Sequence, residues 1–333
     1  MNNTERTSIA FARWPLVVCL ALLVTAPGWA QERHSQGEHE HGRFPHVVVF
    51  GTSLSDPGNA FALSGVAAEA PDFTMSDLLI PSAPYEKGGY HFSNGPTWVE
   101  QWARSVGERR SADAALATDS PKVSNFAVGA ARAYNDGINF NLTRQVDTFL
   151  QRNGGIASPE ALYIIEMGSN DIRDAFQIYA TGGNGGFVLA QALGSIATNI
   201  QRLYVAGARE FLVWVAPNIA LTPALRLLPP AAQGLAAILT QSFNGNLTGM
   251  LAQLSAALPG VTFTRLDAYQ LLNEVVAYPA SFGLSDVTSS CVTPNVAPFT
   301  CRHAREYLFW DGIHPTKAGH AILAAKAAQI LPE

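Results

Sequence analysis

The chain has 333 residues, 48% of them hydrophobic and only 14% charged, against about 25% charged in an average soluble domain; a disordered chain is excluded. Twenty-one Lys and Arg face 26 Asp and Glu, a net charge of −5 with no Lys/Arg run, which argues against a nucleic-acid binder. Three cysteines are too few for a disulfide scaffold.

In chain order, Arg6 and Arg13 precede Leu16 to Ala26, 11 uncharged and mostly apolar residues. Gly28 and Ala30 then stand at the −3 and −1 positions of a cleavage site before Gln31. Residues 1–30 therefore read as a secretory signal peptide cut after Ala30. The run is shorter than the roughly 20 residues that span a bilayer. A secreted or periplasmic protein is expected, with no transmembrane segment once the leader is removed. Cleavage discards Cys19 and leaves Cys291 and Cys301. In an oxidising compartment such a nearby pair favours a local disulfide, two free buried thiols being the alternative.

Residues 31–45 are polar and carry His34, His39 and His41, which reads as a disordered linker. A metal-binding tract there lacks a second ligand cluster, so no metal is expected. Residues 46–333 show no composition break and read as one domain. Val47-Val48-Val49-Phe50 is a continuous β-branched and aromatic run ending at Gly51. Such runs suit strands buried on both faces, as in parallel sheets. Val123 to Ala127, Leu162 to Met167, Phe211 to Ala216 and Val261 to Leu266 resemble it. Helical patterns cover Pro96 to Val106, Leu142 to Arg152, Gly186 to Val205, Ala231 to Leu258 and Thr316 to Ile330. Strands alternating with helices predict an α/β fold around a parallel sheet. The stretch from Asp56 to Lys122 is long for a connection and is expected to carry functional loops.

Ligands of open parallel sheets bind at the carboxyl ends of the strands, so residues just after each run are the candidates. Ser53 follows the first run, Gly129 the second and Asn170 the third; Asp311 and His314 lie three apart near the C-terminus. A serine hydroxyl needs an adjacent base, usually histidine, oriented by a carboxylate. The oxyanion needs donors such as backbone N–H groups or an Asn side chain. Ser53 is the candidate nucleophile, His314 the base and Asp311 the orienter. The Ser53 amide, the Gly129 amide and the Asn170 side chain are the candidate oxyanion donors. This chemistry requires no cofactor. The Gly-x-Ser-x-Gly elbow of the α/β-hydrolases is missing.

The chain resembles the GDSL, or SGNH, family of secreted esterases and lipases of bacterial or plant type. Its blocks are Gly51-Thr52-Ser53-Leu54, Asn125-Phe126-Ala127-Val128-Gly129-Ala130-Ala131, Gly168-Ser169-Asn170-Asp171 and Asp311-Gly312-Ile313-His314-Pro315. Each block alone is weak; four in order, spanning residues 50 to 315, are specific. The resemblance implies the same roles for Ser53, Gly129, Asn170, Asp311 and His314. It also implies a flavodoxin-like three-layer α/β/α sandwich with about five parallel strands, and a carboxylic ester as substrate. Thr52 replaces the family's usual Asp beside the nucleophile, which is not itself a triad member. A carbohydrate acetylesterase with the same triad and a catalytically silent binding module are the alternatives; no triad residue is lost. Ile219 to Thr240, the most apolar mature stretch, reads as core helices or as an acyl-binding wall. Phe73, Tyr85, Tyr90, Phe92 and Trp98 are candidate cleft aromatics.

Overall fold

Four parallel strands, β1 (Val47–Gly51), β2 (Leu162–Glu166), β3 (Glu210–Val215) and β4 (Thr262–Asp267), lie side by side in that order in the computed structural model, which describes residues 44–331. The expected leader and most of the 31–45 linker lie outside the described residues. β1, β2 and β3 are almost wholly buried, as their unbroken apolar sequences predict. β4 is the edge strand and is largely half-buried or exposed.

The fifth expected strand, Val123 to Ala127, forms no regular ladder. It runs beside the free edge of β1: Val49 N–H donates to Ser124 O at 3.0 Å, and Phe126 N–H to Val49 O at 2.8 Å. The Ser124 hydroxyl donates to Val47 O, and the Asn125 amide to Ser55 O and Ala112 O. Side chains that bond neighbouring backbone compete with regular pairing. With this segment included, the chain order across the sheet is second, first, third, fourth, fifth, the doubly wound order that reverses at β1.

Nine α-helices are described: α1 (Asn59–Ser64), α2 (Trp98–Ser105), α3 (Leu142–Arg152), α4 (Ser169–Ala180), α5 (Gly185–Ala206), α6 (Pro223–Arg226), α7 (Pro230–Ala257), α8 (Ala268–Ala277) and α9 (Lys317–Ile330). Alternate strand residues point to opposite faces of a sheet. Phe149 of α3 packs edge-on against Phe50 and Tyr163, and Tyr163 in turn against Phe211. Trp214, an odd number of residues from Phe211, points to the other face and meets Trp98 of α2. Helices therefore cover both faces, giving three layers. Among the described residues no helix is long and apolar enough to cross a membrane.

A second, two-stranded parallel sheet, β5 (Asp286–Ser290) and β6 (Tyr307–Phe309), was not expected. It precedes the Asp311–His314 turn. Cys291 and Cys301 form a disulfide after β5. Cys291 packs in a small cluster with Phe73, Tyr85 and Trp310.

Candidate active site

The turn after β1 brings Ser53 to the carboxyl edge of the sheet, and its Oγ lies 2.9 Å from His314 Nε2 across 261 residues of sequence. His314 Nδ1 is 2.7 Å from Asp311 Oδ2. Asp311 is fully buried. Its Oδ1 accepts the Ile313 and His314 amides at 2.9 and 2.8 Å. The three-residue spacing thus closes a local turn in which the acid holds both the backbone and the ring of His314. Tyr85 donates its hydroxyl to Asp311 Oδ2 at 2.8 Å. Burial, then the charge of Asp311, push the Tyr85 pKa up, so it stays a donor. Tyr85 was expected to line the cleft; it stands behind the acid instead.

The block around Ser53 is clamped from below. Gln145 of α3 bonds both the N–H and the C=O of Gly51 at 2.9 Å. Thr52 donates its amide to Glu166 Oε2 at 2.8 Å and its hydroxyl to both Glu166 oxygens at 3.0 Å. Glu166, the last residue of β2, is fully buried, and burial raises its pKa to about 7. Sequence reading passed over it inside an apolar run; a lone acid at the carboxyl end of a buried strand was the available signal.

Gly129, expected as an oxyanion donor, has its amide engaged elsewhere. Its N–H donates to buried Asp56 Oδ2 at 2.7 Å, so an oxyanion would have to compete with a carboxyl group for it. Asp56 also accepts the Gly58, Asn59 and Ala60 amides; burial outweighs these bonds and lifts its pKa to about 6. The glycine has another reason: a Cβ at 129 would stand 2.1 Å from the Phe92 ring, and that ring lies 5.3 Å from the His314 ring. The next residue, Ala130, has φ +63°, uncommon for a residue with a side chain. Its amide and that of Ser53 have no hydrogen-bond acceptor among the described residues. Asn170, at the start of α4, spends one side-chain N–H on Ala131 O at 2.8 Å, which leaves the second free. Asp171 accepts the Ala133 and Tyr134 amides and so fixes the loop behind Ala130. Asn59 bridges the first two blocks by donating to Asn125 O and Ala127 O.

Two hollows meet at the Ser53–His314 pair. One is a small apolar pocket of about 50 Å³ walled by Ile219, Leu225, Pro217 and Leu54. The other is a wider cleft of about 580 Å³ past Phe92 and Ala130. Of the five aromatics expected in the cleft, only Phe92 lines it. Phe73 packs against Tyr85, Trp98 against Trp214, and Tyr90 stacks on Phe61. Among the described residues no cluster of His, Cys, Asp and Glu is suited to a metal ion.

The family model of the GDSL-like lipases and acylhydrolases matches residues 47–327. Two GDSL esterase/lipases of Arabidopsis thaliana are 25% and 27% identical, over 85% and 84% of this chain and 90% and 87% of theirs. A phosphatidylcholine-sterol acyltransferase of Aeromonas hydrophila is 26% identical over 86% of this chain and 90% of its own. A solved Bacillus subtilis protein, 12% identical with a TM-score of 0.43, matches 86% of this chain, which spans about half (55%) of that protein. The chain belongs to the GDSL-like lipase/acylhydrolase family and is a carboxylic ester hydrolase.

Proposed function

We propose that this protein is an exported serine esterase or lipase that works through an acyl-enzyme intermediate on Ser53. The observation that carries the reading is the continuous chain of contacts Ser53 Oγ–His314 Nε2 and His314 Nδ1–Asp311 Oδ2, at 2.9 and 2.7 Å. Ser53 Oγ attacks the ester carbonyl carbon while His314 Nε2 takes its proton. Asp311 holds the ring and stabilises the imidazolium. The oxyanion is received by the Ser53 and Ala130 amides and the free Asn170 side-chain N–H, in place of Gly129. Collapse of the tetrahedral intermediate breaks the ester C–O bond, and His314 returns its proton to the departing alcohol. Water, deprotonated by His314, then attacks the acyl-enzyme and releases the acid with Ser53 restored.

The Cys291–Cys301 disulfide supports export, since such bonds persist in oxidising compartments, and residues 1–30 supply the expected leader, cut after Ala30. An ester substrate is the only partner this chemistry needs. The small apolar pocket suits the acyl group, and the cleft past Phe92 suits the alcohol.

The test is a 4-nitrophenyl ester series from acetyl to palmitoyl on wild type and Ser53→Ala. Ser53→Ala is expected to lose at least about 10³-fold in kcat. Retained activity eliminates Ser53 as nucleophile. A peak at acetyl, which a pocket of only about 50 Å³ accommodates, would turn the reading toward a carbohydrate acetylesterase; a peak at longer chains supports an esterase or lipase.

A further inference from the structure

The wide cleft has an uneven charge. Arg144 and Arg173 line it and no carboxylate does, although the whole chain carries −5. Arg173 also lines the small pocket on the other side of Ser53, so it adjoins both hollows. It follows Asn170 by three residues on α4, which puts both side chains on one face of the helix.

Among the described residues the surrounding charges are paired with one another, and Arg173 is not. Arg132 forms a two-pronged bond with Asp174 at 2.8 and 3.0 Å. The Tyr134 hydroxyl also donates to Asp174 at 3.0 Å, and Asp136 lies 3.7 Å from Arg132. Arg173 has neither a hydrogen bond nor an ion pair among the described residues, though it is partly buried. Burial, then the charge of Arg132, push its pKa down while Asp174 opposes them. A guanidinium withdrawn from water without a partner is costly. Arg144, exposed on the cleft wall, rests over the Phe140 ring at 4.6 Å and has no ion pair among the described residues.

We propose that Arg173, assisted by Arg144, binds an anionic group of the substrate, so that this enzyme prefers esters carrying a phosphate or carboxylate over neutral ones. The fork of N–H donors on arginine matches either oxyanion two-pronged. Arg173 lines both hollows that Ser53 and Asn170 line, so an anion held there belongs to the ester bound at Ser53. The inference rests on the ester-hydrolase reading of Ser53 and adds the charge of the substrate to it.

Two matched substrate pairs test it and separate the two sources of charge. One is 4-nitrophenyl butyrate against mono-4-nitrophenyl glutarate, in which a carboxylate ends the acyl part. The other is a monoacylglycerol against the lysophosphatidate of the same chain, in which a phosphate ends the alcohol part. In at least one pair wild type is expected to favour the anionic member in kcat/KM by about tenfold or more. Arg173→Gln should lower that ratio by about 10- to 100-fold, mainly through KM, as loss of a charge-assisted bond predicts. Arg173→Lys should keep part of it. Arg144→Gln should lower it less, and raising salt from about 0.05 to 0.5 M should reduce the ratio in wild type. The pair that responds identifies the anion. Equal or better turnover of the neutral member in both pairs overturns the proposal, as does an unchanged ratio in folded Arg173→Gln. Should Arg173→Gln not fold, the wild-type ratio, its salt dependence and Arg144→Gln decide. Hydrolysis of any of the four substrates by Ser53→Ala sinks the nucleophile instead, so the two failures are distinct.

Discussion

Thr52 stands where the family's first block normally has aspartate, and both its amide and its hydroxyl donate to buried Glu166. The nucleophile loop is thus tied down by one carboxyl group and two donors. Thr52→Asp, which restores the family's own residue, sets a second carboxyl against Glu166, and two acids in such contact cannot both ionise cheaply. Since burial already lifts Glu166 to about 7, one shared proton relieves the pair at lower pH and is lost at higher pH. Thr52→Asp is therefore expected to lower kcat about tenfold or more at pH 8 and less at pH 6. Thr52→Asp/Glu166→Gln should recover most of the loss, because the amide can donate to the new acid. Activity profiles of the three proteins check this; a Thr52→Asp enzyme as active as wild type at pH 8 contradicts it. Ser53, Asn170, Asp311 and His314 are candidates from sequence because their motifs are local. Glu166 is not, because its partner lies 114 residues away. The partner of the Gly129 amide was hidden for the same reason: Asp56 is 73 residues distant.

The helices that sequence periodicity located best are those with one apolar face on the sheet. α3 has the expected bounds, Leu142–Arg152, and α5 and α7 differ from expectation by a residue at each end. α4 and α8 were passed over. α4 begins inside the Gly168-Ser169-Asn170-Asp171 block, so the motif occupies its first turn and masks the helical start. α8 follows β4 without a connecting loop, Asp267 ending the strand and accepting the Gln270 amide. The stretch Ile219 to Thr240 divides between the two readings given to it. Ile219 and Leu225 wall the pocket beside Ser53, while Ala236, Leu239 and Thr240 of α7 are buried core residues. Leu225→Ala is accordingly expected to move the preferred acyl length of the ester series upward by enlarging the pocket. Leu228→Ala, three residues further on and outside that wall, should leave the profile in place. Equal profiles for wild type and Leu225→Ala would remove the wall from the acyl site.

At the scale of the whole molecule, the layers are held by burial of the sheet on both faces, and the second sheet by the apolar cluster of Val287, Leu308 and Phe309 with Leu271 and Val275 of α8, with the Cys291–Cys301 disulfide beside it. That bond spans a sequence separation of 10 residues, for which loop-closure entropy gives about 3 kcal/mol. Replacing both cysteines by serine is expected to lower Tm by about 5 °C or more, read by thermal unfolding; an unchanged Tm would mean the loop is ordered without the bond. Activity should fall with it, since the same cluster contains Tyr85, which supports Asp311. The alternation of buried strands with amphipathic helices, the glycine turns at strand ends and the residue types of the candidate site were determined by the sequence alone, because each rests on a short stretch and its own periodicity. The meeting of Ser53 with His314, the withdrawal of the Gly129 amide by Asp56, the irregular fifth edge of the sheet and the lack of an ion-pair partner for Arg173 among the described residues were decided by the tertiary structure. Each is a distance, or a missing partner, between segments far apart in the chain, and only packing brings such segments together.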